Sequence, residues 1–191
     1  MDYYKIVEEE AGRISEKTFG GKSVYAEKTK DQECFDFSLN GIKYMCYVDI
    51  YNESENSVNI IEVKATTSKK YMDLKAGHKK CDKFSIFERI NNINYLKGEL
   101  KDYNIESEMP LEKYQAHYEK LFDRYKLGKY IYDLAIQRYI IEHEHLSTHT
   151  EKQLINYRYY LGVLNADYIY DGTKENGKMI YNPDENGNEL I

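Results

Sequence analysis

The chain has no tryptophan, only two prolines (Pro110 and Pro183) and only three cysteines among its 191 residues. Cys34, Cys46 and Cys81 are odd in number and far apart, so neither a disulfide framework nor a CxxC metal clip can be drawn from them. Long apolar runs are also missing. The longest stretch without a charged residue is residues 159–166, eight in all, against the roughly 18 that a membrane span needs. No basic segment followed by an apolar one opens the chain, so no secretory leader is expected. A basic excess is absent too: Lys and Arg number 27, Asp and Glu 33, for a net charge of −6. Together these absences predict a reducing, cytoplasmic setting and no membrane partner.

What the chain has in quantity is tyrosine, 21 residues. Disordered chains are poor in aromatics, and a chain of this length ordinarily folds as one domain that buries about 70% of its unfolded surface. A single domain over residues 1–191 is therefore expected. The acidic balance argues mildly against nucleic acid as a partner, because phosphate contacts need cations. Its distribution is uneven, however, since residues 63–83 hold seven lysines and two aspartates. A solvated helix face explains such a stripe, and a polyanion at one face is compatible with it.

Residues 3–19 have helical periodicity, with Ile6, Val7, Ala11, Ile14 and Thr18 tending to one side and Gly20-Gly21 as the stop. Residues 33–39 read as a strand, Asn40-Gly41 as a hairpin turn and 42–51 as the return strand. A polar turn then leads to a third strand over 57–65, completing an antiparallel meander. Phe84, Phe87, Ile90, Ile93, Leu96 and Leu100 recur every three or four residues, as do Leu111, Tyr114, Tyr118, Leu121 and Tyr125, and both sets predict helices. A further helix is expected over 130–142, with strands over 157–164, 168–170 and 178–181. The order helix, three strands, helices, strands predicts an α/β (α+β) fold, a sheet covered by helices.

Three charged residues sit where strands are otherwise apolar. Asp49 lies in Tyr47-Val48-Asp49-Ile50-Tyr51, and Glu62 and Lys64 lie in Ile60-Ile61-Glu62-Val63-Lys64-Ala65. Strand side chains alternate, so Glu62 and Lys64 share one face and Ile61 and Val63 the other. Pairing of the two strands would bring Asp49 to the same patch. Buried charges are costly unless they pair or hold a metal, and a hard oxygen set favours Mg2+ or Mn2+ over zinc. A lysine beside such an ion can orient a water and stabilise an oxyanion, which suits phosphodiester hydrolysis. Cross-strand charge pairs on a solvated sheet explain the pattern equally well. Glu-x-Lys alone is weak, and a second copy, Glu99-Leu100-Lys101, stands in a polar stretch.

A helix, then a meander carrying Asp49 and, after 12 intervening residues, Glu62-Val63-Lys64, then a helix with Gln137-Arg138-Tyr139, resembles the PD-(D/E)XK nuclease superfamily in its RecB-like branch. An Ile-Glu-Val-Lys strand ending in small hydroxyl residues, here Ala65-Thr66-Thr67-Ser68, is typical of that branch. Residues 161–168 are similar to strands that follow the Gln helix in bacterial members. The resemblance implies a restriction-endonuclease-like core, with a mixed sheet of about four to five strands flanked by helices. It also implies a helical insertion at about 84–129, within the 72 residues that separate Lys64 from Gln137.

The activity so implied is that of a Mg2+-dependent (or Mn2+-dependent) deoxyribonuclease, exonuclease-like and serving DNA repair, recombination or defence. Asp49 and Glu62 would bind the metal, with the Val63 carbonyl as third ligand and Glu10 of the first helix as an added acid. Lys64 would be the catalytic lysine. Gln137 would contact the lysine, the nucleophile or the DNA backbone, with Tyr139 in support, although the Gln-Arg-Tyr spacing departs from the family's Gln-x-x-x-Tyr. Lys69, Lys70, Lys75, Lys79 and Lys80, with His78, would track the DNA backbone. Some relatives hold an iron–sulfur cluster on four cysteines, and three scattered ones imply none here. The alternative within the same resemblance is a catalytically inactive module that binds nucleic acid or assembles into a homo-oligomer or larger repair complex.

Two further motifs have plain explanations. His143, His145 and His149 are zinc ligands by residue type only, and a solvated loop at a helix end accounts for them. Tyr157-Arg158-Tyr159-Tyr160 offers base-stacking chemistry, and a strand with two core-facing tyrosines accounts for it.

Overall fold

The structure, a computed structural model, describes residues 3–26, 29–72, 74–76, 84–91, 93–96, 111–123, 128–148, 155–166, 174–175 and 178–179. In chain order its elements are α1 (Tyr3–Phe19), β1 (Lys22–Val24), a 3-10 turn (Thr29–Asp31), β2 (Cys34–Leu39), β3 (Ile42–Tyr47), β4 (Ile50–Glu53) and β5 (Val58–Thr67). There follow α2 (Lys69–Met72), β6 (Lys75–Ala76), β7 (Phe84–Ser85), β8 (Phe87–Ile90), β9 (Ile93–Leu96) and α3 (Leu111–Leu121). Last come α4 (Gly128–Thr148), β10 (Tyr157–Leu164), β11 (Lys174–Glu175) and β12 (Lys178–Met179). The described residues gather into two compact units, one drawn from 1–66 and 132–165, the other from 67–131 and 166–188. None of the described helices is long and apolar enough to cross a membrane.

The first unit is built on a mixed four-stranded sheet in the order β1-β4-β5-β10. β4 pairs antiparallel with both β1 and β5, so the parallel pair of this mixed sheet is β5–β10. A crossover through a helix is the connection such a pair requires, and α4 supplies it. Every residue from Val58 to Val63 is buried, as expected of a strand covered on both faces. Ile61 and Val63 pack with Ile50 against Val7, Ala11 and Phe19 of α1. Val58 and Ile60, on the other face, pack with Phe35, Phe37 and Val48 against Ile140 and Ile141 of α4.

The expected three-stranded meander is corrected at Asp49. Residues 42–51 are not one strand: β3 pairs with β2 as a separate two-stranded sheet, while β4 enters the central sheet. Val48 and Ile50, both fully buried, show why. In a straight strand they would share a face, but Val48 belongs to the α4-side core and Ile50 to the α1-side core. The chain turns between them, and Asp49 occupies the corner. The Asn40-Gly41 hairpin forms as expected, with both residues at positive φ (52° and 77°), the conformation a two-residue loop demands.

β1 has no counterpart among the expected strands. Its three residues, alternately exposed and half-buried, lack an apolar run and are held through polar contacts. Asn59 Nδ2 donates to Asn52 Oδ1 (2.8 Å), and Asn52 Nδ2 donates to the Gly20 carbonyl (3.0 Å) and to Ser23 Oγ (3.1 Å). These two fully buried amides tie the end of α1 to β1, β4 and β5, satisfying polar groups that would otherwise be costly.

In the second unit, Ala76 and Ile86 form a small core with Leu74, Phe87, Tyr118, Leu121 and Phe122. Here the helix expected over Phe84 to Leu96 is overturned, and with it the wholly helical character given to 84–129. β8 and β9 form a hairpin with Phe87 opposite Leu96 and Ile90 opposite Ile93. The apolar spacing that suggests a helix face is also symmetric about residues 91 and 92, so it suits cross-strand pairs equally. Asn91, at φ 49°, takes the left-handed turn that decides between the two. Among the described residues of that range α3 is helical, as is the start of α4, which runs from Gly128 to Thr148, beyond the expected 130–142. Residues 168–170 lie outside the described residues.

Gly20 and Gly21 end α1 at φ 74° and 72°. A Cβ at Gly21 would collide with the Glu53 carbonyl oxygen, whereas one at Gly20 would meet nothing within 4 Å. Gly20→Ala should cost about 1 kcal/mol, from backbone strain alone. Gly21→Ala should cost about 3 kcal/mol, because β4 must also move. Urea denaturation of the two variants tests this, and equal losses would show that the approach of Gly21 to β4 is not limiting.

Candidate active site

Alternation along β5 puts Glu62 on the Ile60 face, toward α4. Its side chain is nearly closed to solvent, at 8% exposure, and each carboxylate oxygen has a donor. Lys64 Nζ donates to Oε1 from two residues along the same strand. Gln137 Nε2 donates to Oε2 at 2.5 Å from the middle of α4. Gln137 is itself only 9% exposed, and its buried Oε1 has no hydrogen-bond partner among the described residues.

Asp49 reaches the same place from the corner between β3 and β4. Register pairing ends at Ile50 and Ile61, and beyond it the Val63 N–H donates to Asp49 Oδ2 at 2.8 Å. The carboxylate thus takes a bond that a neighbouring strand would otherwise accept, next to the peptide of Glu62. Gln32 Nε2 approaches Asp49 Oδ1 at 3.5 Å. Burial pushes the Asp49 carboxyl up to about 7, the Glu62 charge adds to this, and the Val63 N–H and Lys64 oppose it.

Lys64 answers to the same charges. Burial alone would lower its pKa, but the hydrogen bond to Glu62 and the charges of Glu62, Asp49 and Asp133 prevail, so the ammonium is held above the usual lysine value. It is therefore a fixed cation rather than a proton acceptor. Cys46 of β3 flanks the cluster: burial pushes its thiol up to about 12, with Cys34 and Glu62 contributing.

Two charged groups bearing on this cluster escape sequence reasoning. Glu8 of α1 adds to the electrostatic pressure on Asp49, whereas Glu10, the acid expected from that helix, pairs with Arg13 one turn along. The signal was available, since Glu8 shares a helix flank with Ala11 and Ser15 at spacings of three and seven. Asp133 acts on Lys64 from α4, one turn before Gln137.

Tyr139 is placed elsewhere. It is 47% exposed, and its ring lies against Phe37 and His143 rather than on the cluster. Lys69 and Lys70 are exposed on α2 and Lys75 on β6, while His78, Lys79 and Lys80 lie outside the described residues. The loop expected at the histidines is helix instead: His145 is buried in α4, its Nε2 accepting the Ile155 N–H at 3.2 Å. His143 Nδ1 lies 2.8 Å from the Tyr139 carbonyl, and His149 is outside the described residues. Tyr157 and Tyr159 pack against the α4-side core, with Arg138 5.7 Å over the Tyr159 ring.

As a metal site, the donor set would be the Asp49 and Glu62 carboxylates, with the Val63 carbonyl as the expected third ligand. No group of three His, Cys, Asp or Glu side chains gathers closely enough among the described residues to hold an ion. Mg2+ is ordinarily held by one or two carboxylates together with water and substrate phosphates, so the pair fits it. The raised Asp49 carboxyl beside Glu62 is the tension a divalent cation would relieve. Comparison of the chain with protein-family models, with curated proteins and with solved structures gave no match. The chemistry of the site therefore rests on these residues alone.

The Asp49 shift has a consequence for stability. Unfolded, the carboxyl titrates near 3.8; folded, near 7. Below both values it is protonated in either state. Between them the folded protein keeps a proton that the unfolded chain has released, so its contribution falls as pH rises across that window and is lost above it. Asp49→Asn should flatten this slope and, at pH 8 in chelator, exceed the unaltered protein in stability by about 2 kcal/mol. Urea unfolding at pH 5 and pH 8 measures it, and an unchanged slope would refute the assignment.

Proposed function

We propose that the chain is a metal-dependent deoxyribonuclease of the PD-(D/E)XK kind, with a restriction-endonuclease-like core and exonuclease-like action on DNA. The observation that carries this reading is the convergence of Asp49, Glu62, Lys64 and Gln137 from a strand corner, the central strand and a crossover helix. An acid pair under mutual repulsion beside a permanently charged ammonium is poor as a stabilising device and apt for phosphoryl chemistry.

Asp49 and Glu62, with the Val63 carbonyl, are the groups that would hold Mg2+ or Mn2+, and an ion bound there supplies Lewis acidity and an acidified water. Lys64 offers its ammonium to the phosphate oxygen on which charge grows. Gln137 Nε2 steadies Glu62, and its Oε1 is a buried acceptor with no partner among the described residues. Lys69, Lys70 and Lys75, exposed and close in sequence to the catalytic strand, would meet backbone phosphates.

Linear and circular DNA, incubated with Mg2+ or Mn2+ and with chelator, provide the test. Metal-dependent degradation is expected, reduced about 100- to 1,000-fold by Lys64→Ala and by Asp49→Ala. Retention of DNA without cleavage would replace this reading with that of an inactive nucleic-acid-binding module, and no interaction at low salt would end both.

A further inference from the structure

Glu62 cannot serve two cations equally well. Lys64 occupies its Oε1, and a divalent ion drawn to the same carboxylate competes with the ammonium. The surroundings contain somewhere for the lysine to go. Lys64 and the Gln137 amide bind the two oxygens of one carboxylate, which places the ammonium beside α4 at Gln137. Asp133 precedes Gln137 by four residues, so both project from one helix face, about 6 Å apart along the axis. Asp133 is half-buried, and Gln137 Oε1 is a buried acceptor with no partner among the described residues. The Asp133 charge already acts on Lys64.

Resting on the nuclease reading, we propose that Asp133 and the Gln137 side-chain carbonyl form a second seat for the Lys64 ammonium, taken up when a divalent cation engages Glu62. Asp133 is then a positioning residue, acting through Lys64. The seat keeps the ammonium charged, hydrogen-bonded and beside the cluster, where it can still face a phosphate. Asp49, the other carboxylate whose charge acts on Lys64, is itself a ligand the same ion would claim, which leaves Asp133 as the acid outside the metal's own set.

The test is direct Mn2+ binding, by calorimetry or by the electron paramagnetic resonance of the free ion, on the full chain. Asp133→Asn should weaken Mn2+ binding about 10-fold, and Asp133→Glu should restore most of it. In a Lys64→Met background, where no ammonium competes, Asp133→Asn should change binding less than about twofold. Equal weakening in both backgrounds would show that Asp133 attracts the ion simply as a charge, and would overturn the proposal. So would Mn2+ binding that Asp133→Asn leaves untouched, with the nuclease reading intact. Failure of the unaltered protein to bind Mn2+ would remove the metal reading and this seat together. Circular dichroism of each variant establishes that the comparison is among folded proteins.

Discussion

The Glu62 carboxylate is buried on the central strand, and its two oxygens must each find a donor. A carboxylate in an apolar setting costs several kcal/mol unless compensated, and the compensation here comes from two directions. Lys64 is reached by strand geometry alone, since residues two apart share a face. Gln137 is not: it requires α4 to lie on this face of the sheet with one rotation about its axis. A rotation of one residue, about 100°, would carry the amide away and leave Oε2 unpaired in the interior. The same rotation seats Ile140 and Ile141 on Val58 and Ile60, so apolar packing and the polar contact agree.

The rest of the first unit follows from serving both faces of that strand. α1 covers the Ile61 and Val63 side, and α4 with the β2–β3 hairpin covers the other. A chain that supplies both the hairpin and the neighbouring strand β4 must change layers between them, and it does so at Asp49. The corner frees that carboxylate from a strand partner and lets it accept the Val63 N–H. The geometry that lets one segment join two sheets is thus also what delivers the second acid to the site.

The cluster contributes little to holding the fold together. Hydrophobic residues of similar volume would do as well or better in such positions, and ionised Asp49 is a liability above neutral pH by virtue of its burial and the nearby Glu62. Locally unfavourable charge in an otherwise consistent core is what the proposed chemistry at this cluster would account for.

Several parts of this architecture were legible in the residues themselves, each where a local rule has one outcome. Tyr3–Phe19 is helical and stops at paired glycines because few other residues accept φ near 70°. Asn40-Gly41 turns a hairpin for the same reason, and Tyr157–Leu164 forms a strand over its whole expected length. The pairing of Glu62 with Lys64 follows from alternation. What the tertiary structure decided are the matters where one pattern has two solutions. Apolar spacing symmetric about Asn91 suits a helix face or a hairpin, and the turn chose. An apolar run over 42–51 suits one strand or two, and the opposite destinations of Val48 and Ile50 chose. Which acids bear on Asp49 and Lys64 depends on how α1 and α4 are rotated against the sheet, so Glu8 and Asp133 emerged and Tyr139 did not. Periodicity along a chain names the faces of an element; only packing against a second element determines what each face meets.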